Sequence, residues 1–188
     1  ADGHLVIGCS RGETSIESQN YEHHSLDIMN ETAIKTFFSQ IRKKYGRLDV
    51  LINNAAVNNA LAPITLVSYN AAASTMNTNF MGSFLMSREA IKLMMKNRCG
   101  RIFNMESMAF KYEEKGEAIY TASKAAILSM TKIMAKEVFQ YGITCNAVSP
   151  SAIKTELMDN IDPDALKVVL KRNAIPEMGT TKELVDTI

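Results

Sequence analysis

Three cysteines in 188 residues, Cys9, Cys99 and Cys145, are too few and too scattered for a disulfide framework, and none forms a Cys-x-x-Cys pair that could grip zinc. A reducing, cytoplasmic setting is expected. Histidine is equally scarce: His23 and His24 point to opposite faces of a strand and His4 stands apart, so no metal site is expected. Long apolar runs are missing, since no stretch approaches the roughly 20 residues that a membrane-spanning helix needs. Ala1-Asp2-Gly3-His4 lacks the basic start and apolar run of an export signal. There is no surplus of charge: 21 Lys and Arg face 20 Asp and Glu, leaving a net +1 and no field to gather nucleic acid or an anionic membrane. What is present, 46% hydrophobic and 22% charged residues, suits one sizeable core, and a single domain over 1–188 is expected.

Apolar runs and helical periods alternate along the chain. Leu5-Val6-Ile7 reads as a buried strand entering the Gly8-Cys9-Ser10-Arg11-Gly12 turn, and Tyr21 to Asp27 as a second strand. Asn30 is a suitable N-cap for a helix with Ile34, Phe37, Phe38 and Ile41 on one face, closed by Gly46. Val50-Leu51-Ile52 forms a third strand. One long helical stretch is expected from about Val67 to Asn97, a strand at Ile102 to Met105, and a helix from Ala118 to Tyr141 stopped by Gly142. Thr144 to Val148 is a further strand, and Asp162-Pro163 opens a short helix through about Arg172. This alternation predicts an α/β fold: a doubly wound, mainly parallel sheet with helices on both faces. The methionines at helical positions, Met94-Met95 and Met130 with Met134, read as core filling.

Tyr120 and Lys124 lie at i and i+4 on one helix and so share a face. A phenol with an ordinary pKa of about 10 is a poor proton acceptor near neutrality, and a nearby ammonium stabilises its phenolate. Ser107, just past a strand end, can hydrogen-bond a substrate carbonyl while the tyrosine exchanges the proton. Hydride requires a nicotinamide, because no side chain supplies it.

With the Gly8-x-x-x-Gly12 turn, Leu26-Asp27, Asn53-Asn54-Ala55-Ala56, Asn79-Phe80-Met81-Gly82-Ser83-Phe84, Ser107, Tyr120-x-x-x-Lys124 and Asn146-Ala147-Val148-Ser149-Pro150, the chain resembles the short-chain dehydrogenase/reductase family from Leu5 to about Leu184. The resemblance is to members like the beta-ketoacyl-carrier-protein reductases and implies a Rossmann-like fold. It also implies an NAD(P)-dependent enzyme that interconverts a ketone and a secondary alcohol. By the same resemblance Asn79 organises a proton relay behind Lys124. Gly8, Ser10, Arg11 and Gly12 approach the cofactor phosphates, Asp27 meets the adenine, and Asn53 and Ala55 line the adenosine ribose. Tyr120 and Lys124 face the nicotinamide ribose, with Pro150, Ile153 and Thr155 on the nicotinamide side. Arg11 can pair with a 2'-phosphate, which favours NADP(H) over NAD(H). The family also implies a homodimer or homotetramer.

The chain departs from the family's pattern in several places. Thr14 stands where a glycine is expected, and residues 13–26 are too few for a βαβ unit of roughly 30 residues, so a segment is expected to be missing after Gly12. By the same comparison the family's closing strand is expected to be missing after Ile188. Glu106 replaces a common serine, Ile7 a threonine and Ser151 a glycine. A different class of function, a non-catalytic relative serving as a nucleotide-binding or oligomer subunit, would account for the damaged glycine loop. The substrate, a small carbonyl or alcohol, depends on the loop with Phe110, Tyr112 and Glu117 and on the segment from Thr155 to Pro176.

Overall fold

The computed structural model describes residues 3–155 and 163–188, so Asp162, expected to lead into a helix with Pro163, lies outside the described residues. Five strands are joined by helices: β1 (Val6–Ser10), β2 (Tyr21–Ser25), α1 (Glu31–Tyr45), β3 (Val50–Asn53), α2 (Tyr69–Met76), α3 (Ser83–Asn97), β4 (Gly100–Met105), α4 (Ala109–Tyr112), α5 (Ala118–Val138), β5 (Ile143–Val148), α6 (Pro163–Leu170) and α7 (Thr181–Val185). Every strand pair is parallel.

Local chemistry explains where the elements begin and end. Asn30 Oδ1 accepts the Ala33 N–H at 3.0 Å, Glu31 lies in the first turn of α1, and Arg42, Lys43 and Lys44 lie in the last. Each sign sits at the favourable end of the helix dipole. Gly46, at φ 72°, donates back to the Arg42 carbonyl and stops the helix in a conformation that side chains disfavour. The expected continuous helix from Val67 to Asn97 is instead two helices joined by a π-helical turn, Asn77–Gly82. Ser68 caps α2 through the Ala71 N–H. A widened turn of this kind re-aims the side chains on it, which is why such turns gather at functional sites.

The sheet is in two pieces. β1 pairs only with β2 and β3–β4–β5 form the other ribbon, while β1 and β3 exchange no backbone hydrogen bonds. In the larger ribbon a period of two runs up to the strand ends: Leu51, Ile102, Ile143 and Cys145 are buried against Ile34, Leu93, Met94 and Val138 from α1, α3 and α5. Met134 lies in the same core, and Met95 and Met130 pack against it. On the other face Val50 and Ile52 are about half exposed, at 46% and 49%, and Thr144 and Asn146 are exposed as well. Among the described residues, helices cover the first face and leave this second one open.

The N-terminal turn is the main correction to the sequence reading. Gly8 lies inside β1 opposite His23, not in a turn, and a Cβ there would run into the Tyr21 phenol. No helix follows Gly12; residues 13–18 have no regular structure and lead through a turn into β2. A phosphate cradle needs a strand, a glycine turn and then a helix N-terminus with free N–H groups. Here those N–H groups are not presented.

Candidate active site

β3, β4 and β5 end on the same side of their ribbon, the side on which parallel sheets present ligand sites. Three expected side chains meet there. Lys124 and Tyr120, from the first turns of α5, are 3% and 7% exposed, and the Lys124 ammonium lies 5.6 Å from the centre of the Tyr120 ring. Lys124 Nζ donates to the Met105 carbonyl at 2.8 Å, at the end of β4. Ser107 follows two residues later, its Oγ fixed by the Ala109 N–H at 3.1 Å and near enough to the phenol of Tyr120 to act on it.

The electrostatics differ from the sequence expectation in one respect. Burial raises the Tyr120 phenol above its ordinary value, the Ser107 hydrogen bond pulls it back down, and Glu117 and Glu106 push it up. Burial also lowers Lys124, to about 8, with the Glu106 charge opposing. In this state the phenol therefore keeps its proton near neutrality, because desolvation and the two carboxylates outweigh the Ser107 hydrogen bond. A tyrosine that holds its proton is a proton donor.

Asn79 is fully buried in the π-helical turn and bonds in three directions. Its Oδ1 accepts the Val57 N–H at 2.8 Å and its Nδ2 donates to the Val57 carbonyl at 2.9 Å and to Ser123 Oγ at 3.0 Å. Ser123 in turn donates to the Tyr120 carbonyl at 2.6 Å. Asn79 thereby ties the loop after β3 to the turn of α5 that carries the tyrosine. Beside it runs a polar ladder: Asn53 Nδ2 donates to Ser87 Oγ at 2.8 Å and to Asn104 Oδ1 at 2.7 Å, and Asn104 Nδ2 donates to Thr131 Oγ1 at 2.8 Å. These buried groups satisfy one another and lock β3, β4, α3 and α5 in register.

The residues expected around a cofactor divide into those that face outward and those that do not. Ala55 is exposed just past β3 and Asn53, its neighbour in the motif, is turned inward and engaged in the ladder. Asp27 is half-buried and closes an Asx-type turn through the Met29 N–H at 2.9 Å. Ser10, Arg11 and Gly12 are exposed at and beyond the end of β1, where the Gly12 carbonyl is bonded by His23 at 2.8 Å and the Ser10 hydroxyl at 2.9 Å. Pro150 and Ile153 follow β5: the Pro150 carbonyl accepts the Met108 N–H at 3.0 Å, and Ile153 forms a bridge with Gly179. Thr155 is exposed and donates to the Ile153 carbonyl at 3.3 Å.

The Enoyl-(Acyl carrier protein) reductase family model matches residues 10–188. The 3-oxoacyl-[acyl-carrier-protein] reductase FabG of Rickettsia felis is 30% identical over 187 residues, which are 98% of this chain and 77% of the relative. The chain is a short-chain dehydrogenase/reductase. Members of this family are NAD(P)-dependent oxidoreductases, and this chain is one. The FabG of Salmonella typhimurium is 28% identical over 196 residues, covering the whole of this chain and 79% of its own length. Among solved structures, ElxO with NADP bound is 29% identical with a TM-score of 0.89, over 99% of this chain and 80% of its own. The Rickettsia alignment also bears on the short connection after Gly12. Its 187 positions hold 98% of this chain, which leaves no room for a helix and strand skipped between β1 and β2, so the relative's remaining length lies elsewhere.

A nicotinamide cofactor fits the residues of this short-chain dehydrogenase/reductase. Lys124 has one hydrogen bond among the described residues, to Met105, so its ammonium has donors left for ribose hydroxyls, and small, exposed Ala55 leaves the end of β3 open. Sequence reasoning missed Ser123, Ser87, Asn104 and Thr131. A polar side chain within an otherwise apolar strand, as at Asn104, was the available signal.

Proposed function

We propose that this oxidoreductase interconverts a ketone and a secondary alcohol, with Tyr120 as general acid/base, and takes NADP(H) in preference to NAD(H). The assembly of Ser107, Tyr120 and Lys124 at the ends of the strands carries this reading. A bound nicotinamide supplies the hydride. Ser107 Oγ–H and the Tyr120 phenol both donate to the carbonyl oxygen of the substrate, and the tyrosine passes its proton to the oxygen as negative charge develops there. The phenolate left behind is stabilised by the buried Lys124 ammonium. Asn79 keeps this turn of α5 against the loop after β3, consistent with a place behind the proton relay.

Arg11 supports the preference for NADP(H). It is exposed beyond the end of β1 next to Ser10, where a guanidinium and a hydroxyl can take a 2'-phosphate. ElxO, similar over 99% of this chain, is described with NADP bound. Ala55 and Asp27 flank the adenosine side in this reading, and Pro150, Ile153 and Thr155 the nicotinamide side; Gly8 and Gly12 are left with structural parts. Residues 1–188 act as one domain, in a cytoplasmic homodimer or homotetramer, which three free cysteines suit. Binding of NADPH followed by its fluorescence, and its oxidation with ethyl acetoacetate, test the proposal. Absence of both in wild-type protein overturns it.

A further inference from the structure

Glu106 is a buried ionisable group beside the catalytic side chains that the proton transfer above does not use. It lies between Met105, whose carbonyl takes the Lys124 ammonium, and Ser107. Only 2% of it is exposed. Its Oε2 accepts the Ser149 hydroxyl, and its Oε1 is buried with no hydrogen-bond partner among the described residues. The Glu106 N–H donates to the Val148 carbonyl at 2.8 Å, so the backbone is fixed between the ends of β4 and β5. The cations that act on it come from two helices, Lys124 on α5 and Lys111 on α4, and Ser149 faces it from the end of β5. Its charge is felt in turn by Tyr120, on which Glu117 also acts, and by Lys124.

A neutral amide could also bridge to Ser149, without the cost of burying a charge. What a carboxylate adds is its charge, and the buried Lys124 ammonium is held at the carbonyl of Met105, the residue immediately before it. We propose that Glu106 is a positioning residue whose ionised carboxylate keeps the Lys124 ammonium protonated and so sets the upper pH limit of the site. The inference rests on the reading of Lys124 as the cation that supports Tyr120. Burial alone pulls the lysine down and Glu106 holds it up, whereas burial raises Glu106 and Ser149, the Ser107 N–H, Lys124 and Lys111 pull it back. Each of the two groups thus favours the charged form of the other.

The test is a pH titration of Lys124 by NMR in the full chain with isotope-labelled lysine, the resonance assigned by its loss in Lys124→Arg. Glu106→Gln should lower the Lys124 midpoint by at least about one pH unit, because a unit charge within about 12 Å at an effective dielectric of about 20 is worth that much or more. Glu106→Asp should leave it near the wild-type value. An unchanged midpoint in Glu106→Gln overturns the proposal; if that variant does not fold, Glu106→Ser, which keeps a hydroxyl beside Ser149, carries the same expectation. The basic limb of kcat/KM for NADPH-dependent reduction of ethyl acetoacetate should move to lower pH by the same amount. A shifted lysine midpoint in a wild-type protein with no such reductase activity leaves the charge coupling standing and removes the functional reading. An unshifted midpoint in an active protein does the reverse.

Discussion

The two ribbons of the sheet are held by different means. β3, β4 and β5 are joined to α3 and α5 by apolar packing and also by the ladder from Ser87 through Asn53 and Asn104 to Thr131, with every strand of the ribbon backed by a helix. Among the described residues, β1 and β2 put only Ile7, Cys9 and the His24 ring against the core, and are held besides by the Glu22 carboxylate, which takes Lys44 at 2.8 Å and Tyr45 at 2.5 Å from α1. The first arrangement is dry and positions atoms; the second is open and holds exposed groups such as Arg11 and Ser10. The division matches the proposed chemistry, in which proton transfer needs fixed, desolvated groups and recognition of a phosphate needs an accessible cation.

The largest effect should come from Tyr120, the proposed acid on the helix that backs the dry ribbon. Tyr120→Phe is expected to lower kcat by about 100- to 10,000-fold, the usual range for loss of a general acid, while NADPH fluorescence titration shows binding retained. Turnover that survives this change would place the acid elsewhere. The next effect concerns the ladder: Asn104→Leu leaves Asn53 and Thr131 without their buried partner and should cost about 2–4 kcal/mol in urea denaturation. A cost near zero would mean that the ladder does not distinguish the two ribbons.

The open ribbon should respond less and differently. Arg11→Ala is expected to raise the Kd for NADPH by about 10-fold and leave that for NADH unchanged, with no change in denaturation midpoint. Equal weakening of both cofactors would break the link between this ribbon and the 2'-phosphate. The smallest effect is one of pH. Lys124, lowered by burial to about 8, loses its proton above that value, so kcat/KM should fall to about half its plateau near pH 8. Stability should move the other way: the folded chain holds this proton more weakly than the unfolded one, so Lys124 makes folding more favourable as pH rises from about 8 toward the ordinary lysine value. A parallel loss of stability and activity would point to a different titrating group.

Much of the catalytic half was legible because its chemistry is local. Tyr120 and Lys124 share a helix face by spacing alone, and the helix around Ile34, Phe37, Phe38 and Ile41 declares its core side and both caps in a single run. The glycine-bearing N-terminal run was misleading for the same reason. Gly8-x-x-x-Gly12 after an apolar run fits a phosphate turn as well as it fits a strand that gives room to a tyrosine, and only the neighbour, Tyr21 across the ribbon, separates the two. Asn53 likewise sits in a motif that suggests a ligand contact, yet its side chain is turned to Asn104 on the next strand.

The sequence by itself determined most of the strands and helices, which residues face the core of α1, and that Tyr120 and Lys124 share one helix face. These follow from spacing of a few residues and from the chemistry of single side chains. The tertiary structure alone decided that the strands form two ribbons, that Asn79 and Asn53 are spent on holding elements together, that burial raises the Tyr120 phenol and lowers Lys124, and that Glu106 is buried. Hydrogen bonds across strands and the desolvation of a side chain depend on residues far away in the chain, and no local pattern records who those neighbours are.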